Sequence, residues 1–248
     1  MIENLSFNNV YNIDCLEGMK YLKDESVDSI ITDPPYAVGY DKKSKHLAKM
    51  DKARGKQIER DKSFDDVNPE YELLSKEMFR VLKKDSHCFL FCSDKQISSW
   101  SDYMIKAGFK QPQILIWRKN KTTVDLSFGY RFPENKEIIL FFQKGWKKLN
   151  GYNIERHLFR SVLDFPSDGN TEFHSCSKPL QLLMFICKLS TKPGDIILDM
   201  FSGSGNHLIA FKRLNRRFIG FETSPVYYKT IIKRLKFENS QTRLEAIK

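Results

Sequence analysis

Two rhythms of apolar and polar positions alternate along this chain. Short runs rich in β-branched and aromatic residues, bounded by turn formers, predict strands at 10–14, 27–33, 87–93, 113–118, 136–143, 195–199 and 217–222. Longer amphipathic segments predict helices at 69–83, 95–107, 178–189, 205–214 and 224–236. In the first of these, Leu73, Leu74, Phe79, Val81 and Leu82 approximate one face of a 3.6-residue period. Gly108 and Gly194 fall where helix C-caps or turns belong. No internal repeat is present. Strands alternating with helices predict an α/β fold, a mostly parallel sheet covered by helices.

Two stretches break the pattern. Residues 37–66 have almost no apolar periodicity, and between Asp41 and Lys62 they carry nine Lys or Arg against four Asp or Glu. A gap of this length inside a compact domain is either functional or unstructured. Either it is a solvated loop, or Lys42, Lys43 and Lys45 in it touch DNA phosphates. The second stretch, 144–173, interleaves Lys144, Trp146, Lys147, Lys148, Tyr152, Arg156, His157, Phe159 and Arg160. It is either a connecting insertion or a surface that grips phosphates and reads bases, with Arg156, His157 and Arg160 the candidate readers.

Composition narrows the classes. At 248 residues with 41% hydrophobic content the chain can bury a core as one domain. No apolar run is long enough to span a membrane. The N-terminus lacks a basic flank and an apolar signal core, so a cytoplasmic protein is expected. The net charge of +10 favours a polyanionic partner. Five cysteines, none in a Cys-x-x-Cys pair, read as core thiols in a reducing compartment. Cys88 and Cys92 share one face of their strand. The five histidines show no metal-ligand spacing, so no metal is expected.

The candidate chemistry lies at two strand ends. Asp33-Pro34-Pro35-Tyr36 follows the apolar run 27–32. It places a carboxylate, carbonyls ahead of rigid proline rings and an aromatic face where a flat base with an exocyclic amino group can be gripped. An adenine amino nitrogen is a poor nucleophile because its lone pair is delocalised into the ring. Asp33 and the Pro34 carbonyl, accepting its two N–H bonds, would free that lone pair, and Tyr36 would stack on the base. Such a base must first leave its duplex. The second end is Asp199-Met200-Phe201-Ser202-Gly203-Ser204-Gly205-Asn206, an acid and a Gly-rich turn entering a helix. Glycine there lets a ligand approach the backbone. Glu222, about twenty residues on, ends the next strand and can accept both hydroxyls of a ribose. No Walker-type Gly-Lys-Ser/Thr sequence is present, which favours a nucleoside over a triphosphate. Asp14, beside Cys15, either binds the adenine amino group of such a cofactor or caps the helix after it.

In this order, the two motifs resemble the DNA amino-methyltransferases of the permuted β group, over nearly the whole length. The resemblance implies a doubly wound, Rossmann-like sheet of seven strands, one of them antiparallel. It implies S-adenosylmethionine as cofactor, held by Asp14, Cys15, Asp33, Lys178, Asp199, Phe201, Ser202, Gly203, Ser204, Gly205, Asn206 and Glu222. It implies Asp33, Pro34, Pro35 and Tyr36 as the catalytic set, and residues 144–173 as the target-recognition region. His174-Ser175-Cys176-Ser177-Lys178-Pro179 is similar to the segment that leads into the family's first cofactor helix. Met200, Asn206 and Ser175 depart from the family's usual Pro, Thr and Pro. The implied activity is methylation of N6 of a flipped adenine in double-stranded DNA, by a homodimer with or without a cognate restriction endonuclease. The alternatives are an N4-cytosine enzyme, which more often has Ser in place of Asp33, an enzyme acting on RNA or a protein amide, and a catalytically silent DNA-binding subunit.

Overall fold

The computed structural model describes residues 5–36, 68–119, 135–152, 160–167 and 178–245. The strands are β1 (Asn9–Tyr11), β2 (Val27–Thr32), β3 (Leu82–Cys92), β4 (Gln113–Arg118), β5 (Lys136–Lys144), β6 (Val162–Asp164), β7 (Ile196–Asp199) and β8 (Arg217–Phe221). They form one sheet in the order β1-β8-β7-β2-β3-β5-β4-β6. Strand β5 runs antiparallel to β3 and β4, and every other pairing is parallel. The doubly wound sheet and its one antiparallel strand match the expectation. The eighth strand, β6, does not, because three residues are too few to show an alternation.

The alternation of side chains sorts the core into two layers. Ile30, Cys88, Leu90, Cys92, Leu140 and Phe142 face one side, where α1 (Cys15–Met19), α2 (Tyr71–Val81) and α3 (Ile97–Ala107) pack through Met19, Met78 and Trp100. Ile31, Phe89, Phe91, Ile139 and Phe141 face the other, covered by α4 (Leu180–Ser190), α5 (Asn206–Arg213) and α6 (Pro225–Glu245) through Leu183, Leu208 and Ile231. Cys88 and Cys92 do share a face, both buried and free. Two boundaries moved farthest. Helix α2 ends at Val81 and the chain enters β3 at once, so that strand begins at Leu82. Helix α6 continues to Glu245. Gly108, at φ +113°, closes α3 as a left-handed cap.

Because β5 is antiparallel, its start lies at the same rim as the ends of the parallel strands. That rim therefore gathers the residues after β1, β2, β3, β4, β7 and β8, together with Glu137 of β5. At the opposite rim, Asp28 accepts a hydrogen bond from Lys83 Nζ at 2.6 Å and from the Ile196 N–H at 2.9 Å, joining β2 to both neighbours. Asp28→Ala should therefore cost about 1–3 kcal/mol in urea denaturation while leaving ligand binding at the far rim unchanged.

Candidate active site

Strands β2 and β7 lie side by side, with Ser29 opposite Ile197 and Ile30 opposite Leu198. Their ends bring the Asp33 tetrapeptide beside the Asp199 turn. A buried seam ties them. Thr32 donates its hydroxyl to Asp199 Oδ1 at 2.9 Å and accepts the Met200 N–H at 3.1 Å. The Phe201 N–H also reaches Asp199 Oδ1, at 3.3 Å. The other oxygen, Oδ2, lies 3.6 Å from His207 Nδ1. Burial raises the Asp199 carboxyl to about 7, and the nearby charge of Asp33 adds to the rise. Burial lowers His207 to about 3, helped by Lys178, so this imidazole is neutral.

Asp33 is met by Lys178. Lys178 is 4% exposed and places its Nζ 2.5 Å from Asp33 Oδ2 and 3.2 Å from Glu137 Oε2. Among the described residues, Asp33 Oδ1 is buried without a hydrogen-bond partner. Burial pushes the Asp33 carboxyl up, Lys178 opposes this, and the balance is a value above the ordinary one. The tetrapeptide backbone is fixed by the short 3-10 turn Asp94–Gln96: Gln96 Nε2 donates to the Pro35 carbonyl at 2.9 Å, and Ser93 Oγ to the Tyr36 carbonyl at 3.4 Å. Pro34 is buried. The Tyr36 hydroxyl donates to Glu137 Oε2 at 3.3 Å, and its ring centroid lies 5.1 Å from Lys178 Nζ.

The nucleoside side is built on the Gly-rich turn. Glu222 accepts the Gly203 N–H on Oε2 at 2.7 Å and the Ser224 N–H on Oε1 at 2.8 Å. Each carboxylate oxygen can accept two bonds, so a fixed Glu222 can also receive ribose hydroxyls. Gly203 has φ +49°, and a Cβ there would project into open space, so no packing demands the glycine and a ligand can reach the backbone. Gly205 differs, since its Cβ would meet Ile231 of α6 at 3.0 Å. The turn, Glu222 and the orphaned Asp33 oxygen together fit a nucleoside donor opposite an amino acceptor.

Other expected residues fall differently. Asp14 accepts the Leu16 and Glu17 N–H groups at 2.9 and 3.3 Å, the helix-capping alternative. Cys15 is buried, and burial pushes its thiol well up. The Lys178 amine faces Asp33 and Glu137 rather than the glycine turn. Asn206 spans from the Lys178 carbonyl, to which it donates at 2.8 Å, to Arg234, which donates to it at 2.6 Å. Met200 is a core residue, Ser202 and Ser204 are buried, and Phe201 is partly so. The basic run from 144 divides. Lys144 is buried and donates to the Phe79 and Leu82 carbonyls, and Lys147 donates to Ser190 at 3.0 Å, all at the rim opposite Asp33. Trp146 is exposed there, with Lys110 Nζ 4.0 Å from its ring. Arg160 is exposed just before β6 on the sheet edge. Lys42, Lys43, Lys45, Arg156 and His157 lie outside the described residues, as do 174–177 of the helix-leading segment. Among the described residues no group of three or more His, Cys, Asp or Glu could hold a metal ion, and no helix is long and apolar enough to cross a membrane.

Several residues at the site, among them Gln96, Glu137 and Arg234, were not singled out from sequence. Gln96 had a signal, the Ser93-x-x-Gln96 capping box. Arg234, which also donates to the Ser204 carbonyl, and Glu137 had none, because only tertiary pairing brings them to the site.

The seam makes a pH-dependent prediction. A carboxyl raised to about 7 in the fold stabilises it fully below the unfolded value near 4, and that contribution is lost as pH rises through 7. Asp199→Asn does not titrate, while His207 titrates in both proteins. Going from pH 5 to pH 8, urea denaturation should therefore shift in the variant's favour by about 2–3 kcal/mol relative to wild type.

The chain is similar to known proteins. The Type II methyltransferase M2.DpnII of Streptococcus pneumoniae is 32% identical, over 91% of this chain and 88% of its own. M.HindIII of Haemophilus influenzae is 27% identical, over 93% and 96%. A crystal structure of M1.HpyAVI in complex with SAM is 28% identical, with a TM-score of 0.67 over 92% of this chain and 98% of that one. The cytosine-N4-specific PvuII DNA methyltransferase, at 16% identity and a TM-score of 0.70, shares the fold. Residues 27–234, from the start of β2 into α6, match the DNA methylase family of N6 and N4 amino-methyltransferases, and the chain belongs to that family.

Proposed function

We propose that this DNA methyltransferase transfers a methyl group from S-adenosylmethionine to N6 of an adenine flipped out of double-stranded DNA. The observation that carries this reading is Asp33: a carboxylate at the rim, with Oδ2 held by Lys178, the Tyr36 hydroxyl close by, and Oδ1 buried without a hydrogen-bond partner among the described residues. Bound S-adenosylmethionine supplies a sulfonium-activated methyl group. The chain's own residues do the rest. Asp33 Oδ1 and the Pro34 carbonyl accept the two amino N–H bonds and draw the nitrogen lone pair out of the ring. Tyr36 supports the base, and Glu222 with the Gly203 backbone fixes the ribose of the donor. Holding both partners in line supplies most of the acceleration. As the N–C bond forms and the S–C bond breaks, the electron pair of the latter stays on sulfur. Asp33 then takes the proton shed by the substituted nitrogen, for which its raised carboxyl suits it.

An acid rather than a serine heading the tetrapeptide supports adenine over cytosine. Lys42, Lys43 and Lys45 are assigned to phosphates, and Arg156, His157 and Arg160 to base reading. We assign the protein to the cytoplasm as a homodimer, with a cognate restriction endonuclease as a candidate companion.

Two measurements test this. Plasmid from cells expressing the protein, mapped by single-molecule sequencing, should carry N6-methyladenine at one short sequence. N4-methylcytosine instead would overturn the reading. In calorimetry, Glu222→Ala should weaken S-adenosylmethionine binding by about 1.5–3 kcal/mol for each charge-assisted bond lost. Unchanged affinity would remove Glu222 from the ribose.

A further inference from the structure

Glu137 has no place in the mechanism above, yet three donors converge on it. Lys119 Nζ lies 2.6 Å from Oε1, Lys178 Nζ lies 3.2 Å from Oε2, and the Tyr36 hydroxyl lies 3.3 Å from Oε2. Its side chain is 19% exposed. It stands on β5 opposite Trp117, at the one place where an antiparallel strand begins at the rim. Burial works to raise its carboxyl, but Lys178 and Lys119 outweigh burial and leave it below the ordinary value, so Glu137 is ionised.

We propose that Glu137 is a positioning residue for methyl transfer, one carboxylate that shares Lys178 with Asp33 and anchors Tyr36 beside it. This rests on the reading that Asp33 and Tyr36 receive the acceptor base. The geometry gives the reason. Lys178 is shared between two carboxylates, 2.5 Å from one and 3.2 Å from the other. With Glu137 present, the ammonium cannot settle wholly on Asp33, and Asp33 keeps electron density for the amino group. The same Oε2 anchors the Tyr36 hydroxyl, so the ring and the acid keep a fixed relation. Lys119 balances the second oxygen and holds the carboxylate against the sheet.

Charge gives the role a signature that packing alone lacks. Among the described residues, the groups facing Asp33 are Lys178 ahead of α4, Glu137 on β5, Tyr36 on its own segment, Cys92 at the end of β3, and Asp199 on β7. His207 of α5 faces Asp199 and Lys178, and is neutral. Of these, Glu137 is the negative neighbour that raises Asp33 through space. Glu137→Gln keeps the shape and removes that charge, so Asp33 becomes more acidic and a weaker acceptor.

The test uses the full chain in two arms. The first follows the Asp33 carboxyl by NMR titration with labelled aspartate, which needs no activity. The second measures single-turnover methylation of double-stranded DNA at saturating S-adenosylmethionine across pH. Glu137→Gln should lower the Asp33 midpoint, shift the acid limb of the rate downward, and reduce the plateau rate about tenfold. Affinity for S-adenosylmethionine should not change, because Glu137 touches none of the Gly203 turn. Glu137→Asp, which keeps the charge, should retain the wild-type midpoint even if its stability falls. An Asp33 midpoint unchanged in Glu137→Gln overturns the proposal, as does a uniform loss of stability, affinity and rate with no shift of the limb. The reading beneath it fails separately, if the wild-type product is not N6-methyladenine.

Discussion

The pairing of β2 with β7 is the constraint on which the rest of this structure depends. Residues 29–30 and 197–198 are far apart in sequence, yet they are hydrogen-bonded neighbours at the centre of the sheet. Only that pairing sets Asp33 beside the Gly-rich turn. The Thr32–Asp199 bond completes it, at the point where the two strands diverge into function. Thr32 bridges the carboxylate and the Met200 N–H, so the buried acid is satisfied on one oxygen and the turn begins at a fixed position. Strand order reverses across this junction, and open α/β sheets place ligands at such crevices.

The electrostatics follow from that geometry. Asp33, Glu137, Lys178 and Lys119 alternate in sign along the rim, each within reach of the next. Buried charge is tolerated because it is paired. The pairing also prepares the site, since groups aimed before the reaction need no rearrangement during it. Burial and neighbours move the carboxyls apart: Asp33 and Asp199 rise while Glu137 falls. Asp33 is thus suited to accept a proton, and Glu137 to remain a fixed counter-charge.

Much of the fold was legible in the sequence because each strand carries its own record of burial. The alternation of Cys88, Leu90 and Cys92 against Phe89 and Phe91 fixed both faces of β3 before any pairing was known. Both motifs are local, so the acid, the prolines and the glycine turn could be read directly. What could not be read is contributed across the sheet. Glu137 looks like a polar residue at a strand start, and it reaches the site only because β5 is antiparallel. Lys178 was placed with the cofactor residues, but a lysine's reach does not reveal which acid it meets. The basic and aromatic run from Lys144 read as one surface. Sequence spacing could not show that Lys144 and Lys147 serve as helix-end ligands at the opposite rim.

The resemblance places Asp33 in both the catalytic and the cofactor set, and the proposed function gives it to the acceptor, with the Gly-rich turn and Glu222 left to hold the donor. Single-turnover transfer to double-stranded DNA, with donor affinity measured by calorimetry on the same Asp33→Ala preparation, separates these roles. The account predicts a loss of about 10²–10⁴ in the transfer rate with donor affinity unchanged. Transfer at near the wild-type rate, or loss of donor binding in step with activity, would contradict it.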